Sequence, residues 1–178
     1  MDERARVTRF ESEVLIHLDA AYALARWIAR DPTMAWDAVQ EGCLHALRNF
    51  DRMHGLNARA WFLAIIRNAS IDQLRRRRGR AMEEPYEDEA HGGDAPGAGT
   101  NPEEIAVRAS DARWLRECID ALPQAYREVI VLRELEELSY KEISAIVDVP
   151  VGTVMSRLAR ARDLLQQRMR FAQKRTAS

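Results

Sequence analysis

Glycine and proline are scarce in this 178-residue chain, at eight and six residues, and no stretch alternates apolar and polar side chains over the length of a strand. These absences argue against a sheet-rich fold and leave an all-α chain with enough apolar residues for a core. Cysteine is scarcer. Cys43 and Cys118 lie far apart and fit no metal or redox spacing, so they read as reduced, buried thiols of a cytosolic protein. No run approaches the ~20 apolar residues that a membrane span requires, and the opening MDERARVTRFE has no apolar signal core. The expectation is a soluble, intracellular protein. His17, His45, His54 and His91 are scattered and form no ligand pair. With no grouped nucleophile or metal-binding carboxylates, the sequence predicts no enzyme, no metal and no cofactor.

The net charge of −1 conceals an uneven distribution. Residues 1–80 carry 14 Lys and Arg against 10 Asp and Glu, and residues 105–178 carry 13 against 10. Between them, Ala81 to Glu104 holds eight acidic residues and no Lys or Arg. Two mildly basic parts are thus separated by an acidic one, which suits nucleic-acid binding better than the overall pI suggests. The same acidic stretch contains Gly92-Gly93, Pro96-Gly97 and Gly99 and cannot bury enough apolar surface to fold alone. The division is residues 1–80, a flexible acidic linker 81–104, and residues 105–178.

Helical periodicity fills both basic parts. A first helix is expected over residues 7–30, with Phe10, Val14, Leu18, Tyr22 and Ala25 on one side. After Asp31-Pro32-Thr33, with Thr33 as N-cap, a second runs from about Met34 to Phe50 and buries Trp36, Val39, Cys43, Leu47 and Phe50. Asp37, Gln40, Glu41 and Leu44 fall on a neighbouring face. A loop from Asp51 to Asn57 leads to a third helix, Ala58 to Arg77, with Trp61, Ile65, Ile66, Ala69 and Leu74 inward. It ends in Arg75-Arg76-Arg77-Arg78-Gly79-Arg80, more cations than the helix dipole calls for and a footprint for phosphates. Helix resumes near Glu103, capped by Asn101 and Pro102, with an apolar face of Trp114, Leu115, Cys118, Ile119 and Leu122. Pro123 begins another helix.

Ser139 to Leu165 reads as two helices about a tight turn. Ser139 and Glu142 have capping-box spacing, and Ile143, Ile146 and Val147 make one apolar face. Asp148-Val149-Pro150 breaks the helix. A second helix then buries Val151, Val154, Leu158, Ala161 and Leu165, with Arg157, Arg160 and Arg162 largely off that stripe. This is the sequence form of a DNA-binding helix-turn-helix. The fold class expected is all-α: two small helical bundle domains joined by a flexible acidic linker, the C-terminal one containing the helix-turn-helix.

The run VPVGTVMSRLARAR, Val149 to Arg162, resembles the promoter-reading helix of bacterial RNA polymerase sigma factors, most nearly the extracytoplasmic-function (ECF) class of the sigma-70 family. Three further pieces are similar to that class in order and spacing. DAVQE at Asp37 to Glu41 resembles its core-binding segment. AWFLAIIRNASIDQLRR at Ala60 to Arg76 resembles its helix for the −10 promoter element. ALPQAYREV at Ala121 to Val129 resembles the opening of its C-terminal domain. The resemblance implies a non-enzymatic subunit that binds core RNA polymerase, directs it to a promoter and helps open the DNA. It makes residues 1–80 the region 2 domain and residues 105–178 the region 4 domain. It also implies a cytoplasmic location at the nucleoid, or at the inner membrane in the hold of an anti-sigma factor, the family's usual regulator.

The resemblance further assigns three sites. Asp37, Gln40, Glu41 and Leu44, at i, i+3, i+4 and i+7, would meet the polymerase clamp coiled coil. The loop from Arg52 to Asn57 would form the base pocket for the melted −10 strand. Asn68 would meet a base edge, and Arg59 with Arg75, Arg76, Arg77 and Arg78 would hold phosphates. Ser156 and Arg160 would face the −35 major groove, where arginine pairs bidentately with guanine. Met155 and Ala159 share that groove face. Thr153 and the backbone near Gly152 suit a phosphate at the helix N-terminus, Arg157 and Arg162 position the backbone, and Tyr140 and Lys141 meet the opposite phosphates. The acidic linker reads equally as a solubilising tether and as a nucleic-acid mimic threading a basic channel. The competing classes are a stand-alone helix-turn-helix regulator and an enzyme acting on DNA. The core-binding segment argues against the first, the lack of a catalytic constellation against the second.

Overall fold

A computed structural model describes residues 3–53, 57–81 and 102–176. Among the described residues the chain is helical, with no strand: α1 (Glu3–Glu13), a 3-10 turn (Leu15–His17), α2 (Leu18–Ala29), α3 (Pro32–Asn49), a second 3-10 turn (Phe50–Arg52), α4 (Ala58–Ala81), α5 (Pro102–Asp120), α6 (Gln124–Glu134), α7 (Tyr140–Val147) and α8 (Val151–Thr176). Helices α1 to α4 form one bundle and α5 to α8 a second. Most of the acidic linker, and the Asn101 cap, lie outside the described residues.

In the first bundle the expected helix over 7–30 is broken in two. The 3-10 turn after Val14 directs α1 toward the end of α3, where the Phe10 and Phe50 rings meet edge-on at 5.4 Å. The Arg6 guanidinium there donates to the Leu47 carbonyl at 2.6 Å and to Asp51 at 2.9 Å. Long-range packing, invisible to local periodicity, sets this break. The cap of α3 also differs. Asp31, not Thr33, accepts the Met34 N–H at 3.0 Å, and Pro32 occupies the first turn, where its missing N–H costs nothing.

Helix α3 presents a face of small residues, Ala35, Ala38, Gly42 and Ala46, all buried. This lets α4 approach closely. A Cβ at Gly42 would stand 2.5 Å from Ile66 Cδ1. The inward residues of α4 are Phe62, Leu63 and Ile66, fully buried, whereas Trp61 and Ile65 are only partly so. The expected stripe was therefore rotated by about one residue, because α4 is covered on two sides: by α2 and α3, and by α7 of the second bundle.

In the second bundle α6, α7 and α8 pack around Val129, Leu132, Ile143, Ile146, Val154, Leu158 and Ala161. Val151, expected inside, is exposed at the helix start, and Leu135 is exposed too. Buried Arg127 donates to the carbonyls of Asp120 (2.8 Å) and Leu122 (3.4 Å), placing a cation at the C-terminal end of α5 as the dipole favours. Burial holds its pKa below the usual arginine value. The two bundles do not stand apart: α2 packs on α6, α4 on α7, and their buried side chains form one continuous cluster.

Candidate promoter and polymerase interface

The helix-turn-helix is built as its capping residues dictate. Ser139 Oγ accepts the Glu142 N–H, and Glu142 accepts the Ser139 N–H (2.8 Å) and hydroxyl (2.7 Å), completing the capping box. Those bonds hold the Glu142 carboxyl below its ordinary pKa. Helix α7 closes on Asp148 in the left-handed region, φ 54°, and the Ser144 hydroxyl donates to the Val149 carbonyl at 2.6 Å. Together these fix the turn. With Val154, Leu158 and Ala161 buried, α8 exposes Met155, Ser156, Ala159 and Arg160 on one side. Ser156 returns its hydroxyl to the Thr153 carbonyl at 3.0 Å. The Thr153 and Val154 N–H groups both turn back to Pro150 O, so the orphan donors of this helix start are those of Val151 and Gly152. No Cβ clash surrounds Gly152. Arg157 is half-buried and Lys141 exposed. Tyr140 lies under the Arg133 guanidinium at 5.1 Å. Arg162 donates to Glu134 at 2.7 Å, which raises its pKa.

Asp37, Gln40 and Leu44 share one exposed strip of α3, with Glu41 at its edge. Leu44 is 55% exposed, an apolar anchor beside polar acceptors. Glu41 accepts from Gln73 and from both terminal nitrogens of Arg76, each at 3.2 Å. Trp36, expected in the core, is 48% exposed and lies against the Tyr22 ring with centroids 4.5 Å apart. It belongs to the same surface as Gln40 and Leu44. The spacing 36, 40, 44 carried that signal, but an aromatic on a helix is usually assigned to the core first.

The residues expected for the −10 element fall into two groups along α4. Asn57 caps the helix, its side-chain oxygen accepting from the Arg59 (3.0 Å) and Ala60 (3.3 Å) N–H groups. Asn68 is exposed near the middle. Arg75 to Arg78 lie at the far end, about 24 Å from Arg59 at the α-helical rise. Arg75 pairs with Asp72 (3.6 Å), Arg76 with Glu41 (3.2 Å) and Arg77 with Asp31 (3.3 Å), while Arg78 is exposed. Arg52 is exposed and donates to Asn49 at 3.4 Å. The rest of the expected base pocket, His54 to Leu56, lies outside the described residues. Burial raises the Cys43 and Cys118 thiol pKa values, and among the described residues no group of His, Cys, Asp and Glu could hold a metal ion.

This arrangement has relatives. Residues 14–80 match the family model Sigma-70 region 2, and residues 112–165 match Sigma-70, region 4. The chain is 34% identical over 138 residues to the ECF RNA polymerase sigma-E factor of Escherichia coli K12, covering 75% of this chain and 72% of that protein. The chain belongs to the ECF class of sigma-70 family sigma factors. It is also 30% identical over 167 residues to the ECF RNA polymerase sigma factor SigE of Mycolicibacterium smegmatis, covering 92% of this chain and 63% of that longer protein. Among solved structures, the sigma factor RpoE of Bartonella quintana in complex with the anti-sigma factor NepR superposes with a TM-score of 0.77 at 27% identity, covering 90% of this chain and 96% of that one. CnrH in complex with the cytosolic domain of CnrY gives 0.60 at 25% identity, covering 93% and 88%. Within this sigma factor, the Asp37, Gln40 and Leu44 strip and the Met155, Ser156, Ala159 and Arg160 side of α8 are both solvent-accessible, whereas Asn57 and Arg59 bond to Glu142 and Glu136 of the second bundle.

Proposed function

We propose that this chain binds core RNA polymerase through the Asp37, Gln40, Glu41 and Leu44 strip, widened by Trp36. It reads the −35 duplex with Met155, Ser156, Ala159 and Arg160 and contacts the melted −10 strand along α4. Residues 1–80 act as the region 2 domain, 81–104 as the linker and 105–178 as the region 4 domain. The chain supplies binding and positioning, with no catalytic step of its own. It works in the cytoplasm at the nucleoid. Among the described residues no helix is long and apolar enough to cross a membrane. Retention at the inner membrane would come from a bound anti-sigma factor, the kind of partner that the Bartonella quintana sigma factor carries in its solved complex.

The observation that carries this reading is the exposed Ser156 and Arg160 on the side of α8 opposite its buried Val154, Leu158 and Ala161. That helix stands on a capped helix-turn-helix, in one chain with an acidic and apolar strip suited to a basic partner helix. The test is in vitro transcription with core enzyme on a genomic library, with and without the chain. New start sites sharing two spaced elements are expected only when the chain is present. Tight operator binding without core in a gel shift, and no new start sites, would instead identify a stand-alone regulator.

A further inference from the structure

We infer that a row of apolar side chains on α8, centred on Met155, reads the 5-methyl groups of pyrimidines in the −35 major groove. The inference rests on the reading that α8 enters that groove, and it adds what the helix recognises there. From Val151 to Arg160 the exposed residues of α8 fall into two adjacent rows, each at i, i+4 and i+8. One is Gly152, Ser156 and Arg160. The other is Val151, Met155 and Ala159. The apolar row borders the buried series Val154, Leu158 and Ala161 on one side and the polar row on the other. It is not an edge of the core, because Val151 is 39% and Met155 53% exposed. The helices packed on α8, which are α5, α6 and α7, leave it open. A lone exposed apolar residue is ordinary, but three in register beside the Ser156 and Arg160 row form a face.

None of the three side chains carries a hydrogen-bond donor, and only the Met155 sulfur is a weak acceptor. Such a row cannot pair with the nitrogen and oxygen groups of a base edge, and pressing it on them leaves those groups desolvated without a partner. The apolar group that the major groove offers is the C5-methyl of thymine. Met155 is the longest of the three, and its unbranched, polarisable thioether adapts to an irregular apolar partner, so it makes the contact. Arg160 in the neighbouring row supplies the donors for guanine. The two rows thus divide the reading of methyl groups from the reading of hydrogen-bonding groups. Cytosine bearing a 5-methyl presents the same apolar group at the same edge of the base. The row therefore accepts 5-methylcytosine where it disfavours cytosine, and promoter binding responds to cytosine-5 methylation at that position.

The experiment uses the full chain bound to core polymerase and a promoter recovered by library transcription. Unlabelled duplexes compete with the labelled promoter, each with one −35 thymine, on either strand, replaced by deoxyuridine. That change removes the methyl and keeps every base-pairing group. Deoxyuridine at one position should weaken binding about three- to fivefold, the factor for one methyl-sized group taken out of water. A C·G pair at that position should gain a similar factor when its cytosine carries a 5-methyl. Met155→Gln, close in size but polar, should bring the thymine-to-uracil ratio to about one, whereas Met155→Leu should keep it, with circular dichroism confirming retained helix in both. Binding indifferent to every −35 base overturns the placement of α8 in the groove, and the methyl reading with it. Dependence on −35 bases with no thymine-to-uracil difference at any position overturns the methyl reading alone. An unchanged ratio in Met155→Gln, together with reduced retention on core without DNA, makes the row a protein contact and overturns the role of Met155.

Discussion

Arg160 and Arg162 are two residues apart on α8, yet the tasks proposed for them differ. Arg160 is exposed beside Met155, Ser156 and Ala159, the residues proposed to face the groove. Arg162 leans back to Glu134 at 2.7 Å, both side chains about half exposed. Replacing Arg160 with Ala removes one bidentate base contact worth about 1–3 kcal/mol, so preference at one −35 position should fall about 5- to 150-fold while other positions keep theirs. If Arg162 holds a backbone phosphate, as proposed, replacing it with Ala removes that contact. Affinity should fall by a similar factor on every sequence, and the slope of log K against log salt should shrink by about 0.9. Glu134 sharpens the distinction: an exposed pair of this kind contributes about 0–1 kcal/mol, so Glu134→Gln should release Arg162 and tighten binding on all sequences by up to about fivefold. The assay is equilibrium binding of the chain–core complex to a base-substitution panel of a promoter recovered by library transcription, at several salt concentrations. If Arg160→Ala weakens every panel member equally, or Arg162→Ala changes base preference, the assignment of base reader and backbone anchor is wrong.

Three other outcomes follow from single features. Asp37→Lys with Gln40→Ala should cut retention on immobilised core polymerase while leaving the thermal melt unchanged, since both side chains are exposed. Gly42→Ala gains about 1 kcal/mol of helix propensity but must displace Ile66 Cδ1 from 2.5 Å, an overpacking cost of about 1–3 kcal/mol. Net destabilisation of about 0–2 kcal/mol is expected, relieved by adding Ile66→Val, and additive effects in denaturant titrations would contradict the close approach. Glu142 has a folded pKa below its ordinary value of 4.5. Its contribution is therefore present above that value and lost as pH falls through the lower folded pKa. Thermal melts from pH 7 to pH 3 should show Glu142→Gln less stable at neutral pH and less sensitive to acid than the parent chain.

What could be read from the sequence was whatever depends on neighbours along the chain. The Ser139 and Glu142 capping box, the turn at Asp148 to Pro150 and the buried series Val154, Leu158, Ala161 are local, and the structure has them. The misplaced features are those that another helix decides. Trp36 lies outside the core because the face that α3 buries runs through Ala35, Ala38, Val39, Gly42 and Ala46, and the indole sits to one side of it against Tyr22. The inward stripe of α4 moved from Trp61 and Ile65 to Phe62 and Leu63 because two bundles, not one, cover the helix. The pairing of Arg59, Asn57 and Arg67 with glutamates 61 to 85 residues away had no local signal at all. Sequence periodicity gives each helix a face but cannot say how many partners share it.

Glu41 carries the same point into function, because it serves two surfaces. It lies at the edge of the α3 strip proposed to face core and also holds Arg76, one of the arginines at the far end of α4. Asp31 and Asp72 hold two others. These exposed pairs are individually weak and screened by salt, so a phosphate chain can displace them, but each displacement subtracts from strand affinity. A basic helix of core that draws Glu41 toward itself releases Arg76 for phosphate, and binding linkage requires the effect to be mutual. Core should then raise strand affinity, and strand should raise core affinity by the same factor. Glu41→Gln should abolish much of that coupling. The variant should bind single-stranded DNA more tightly than the parent without core, and gain less when core is added. Equal gains from core in both chains would place the coupling elsewhere than in the Glu41–Arg76 pair.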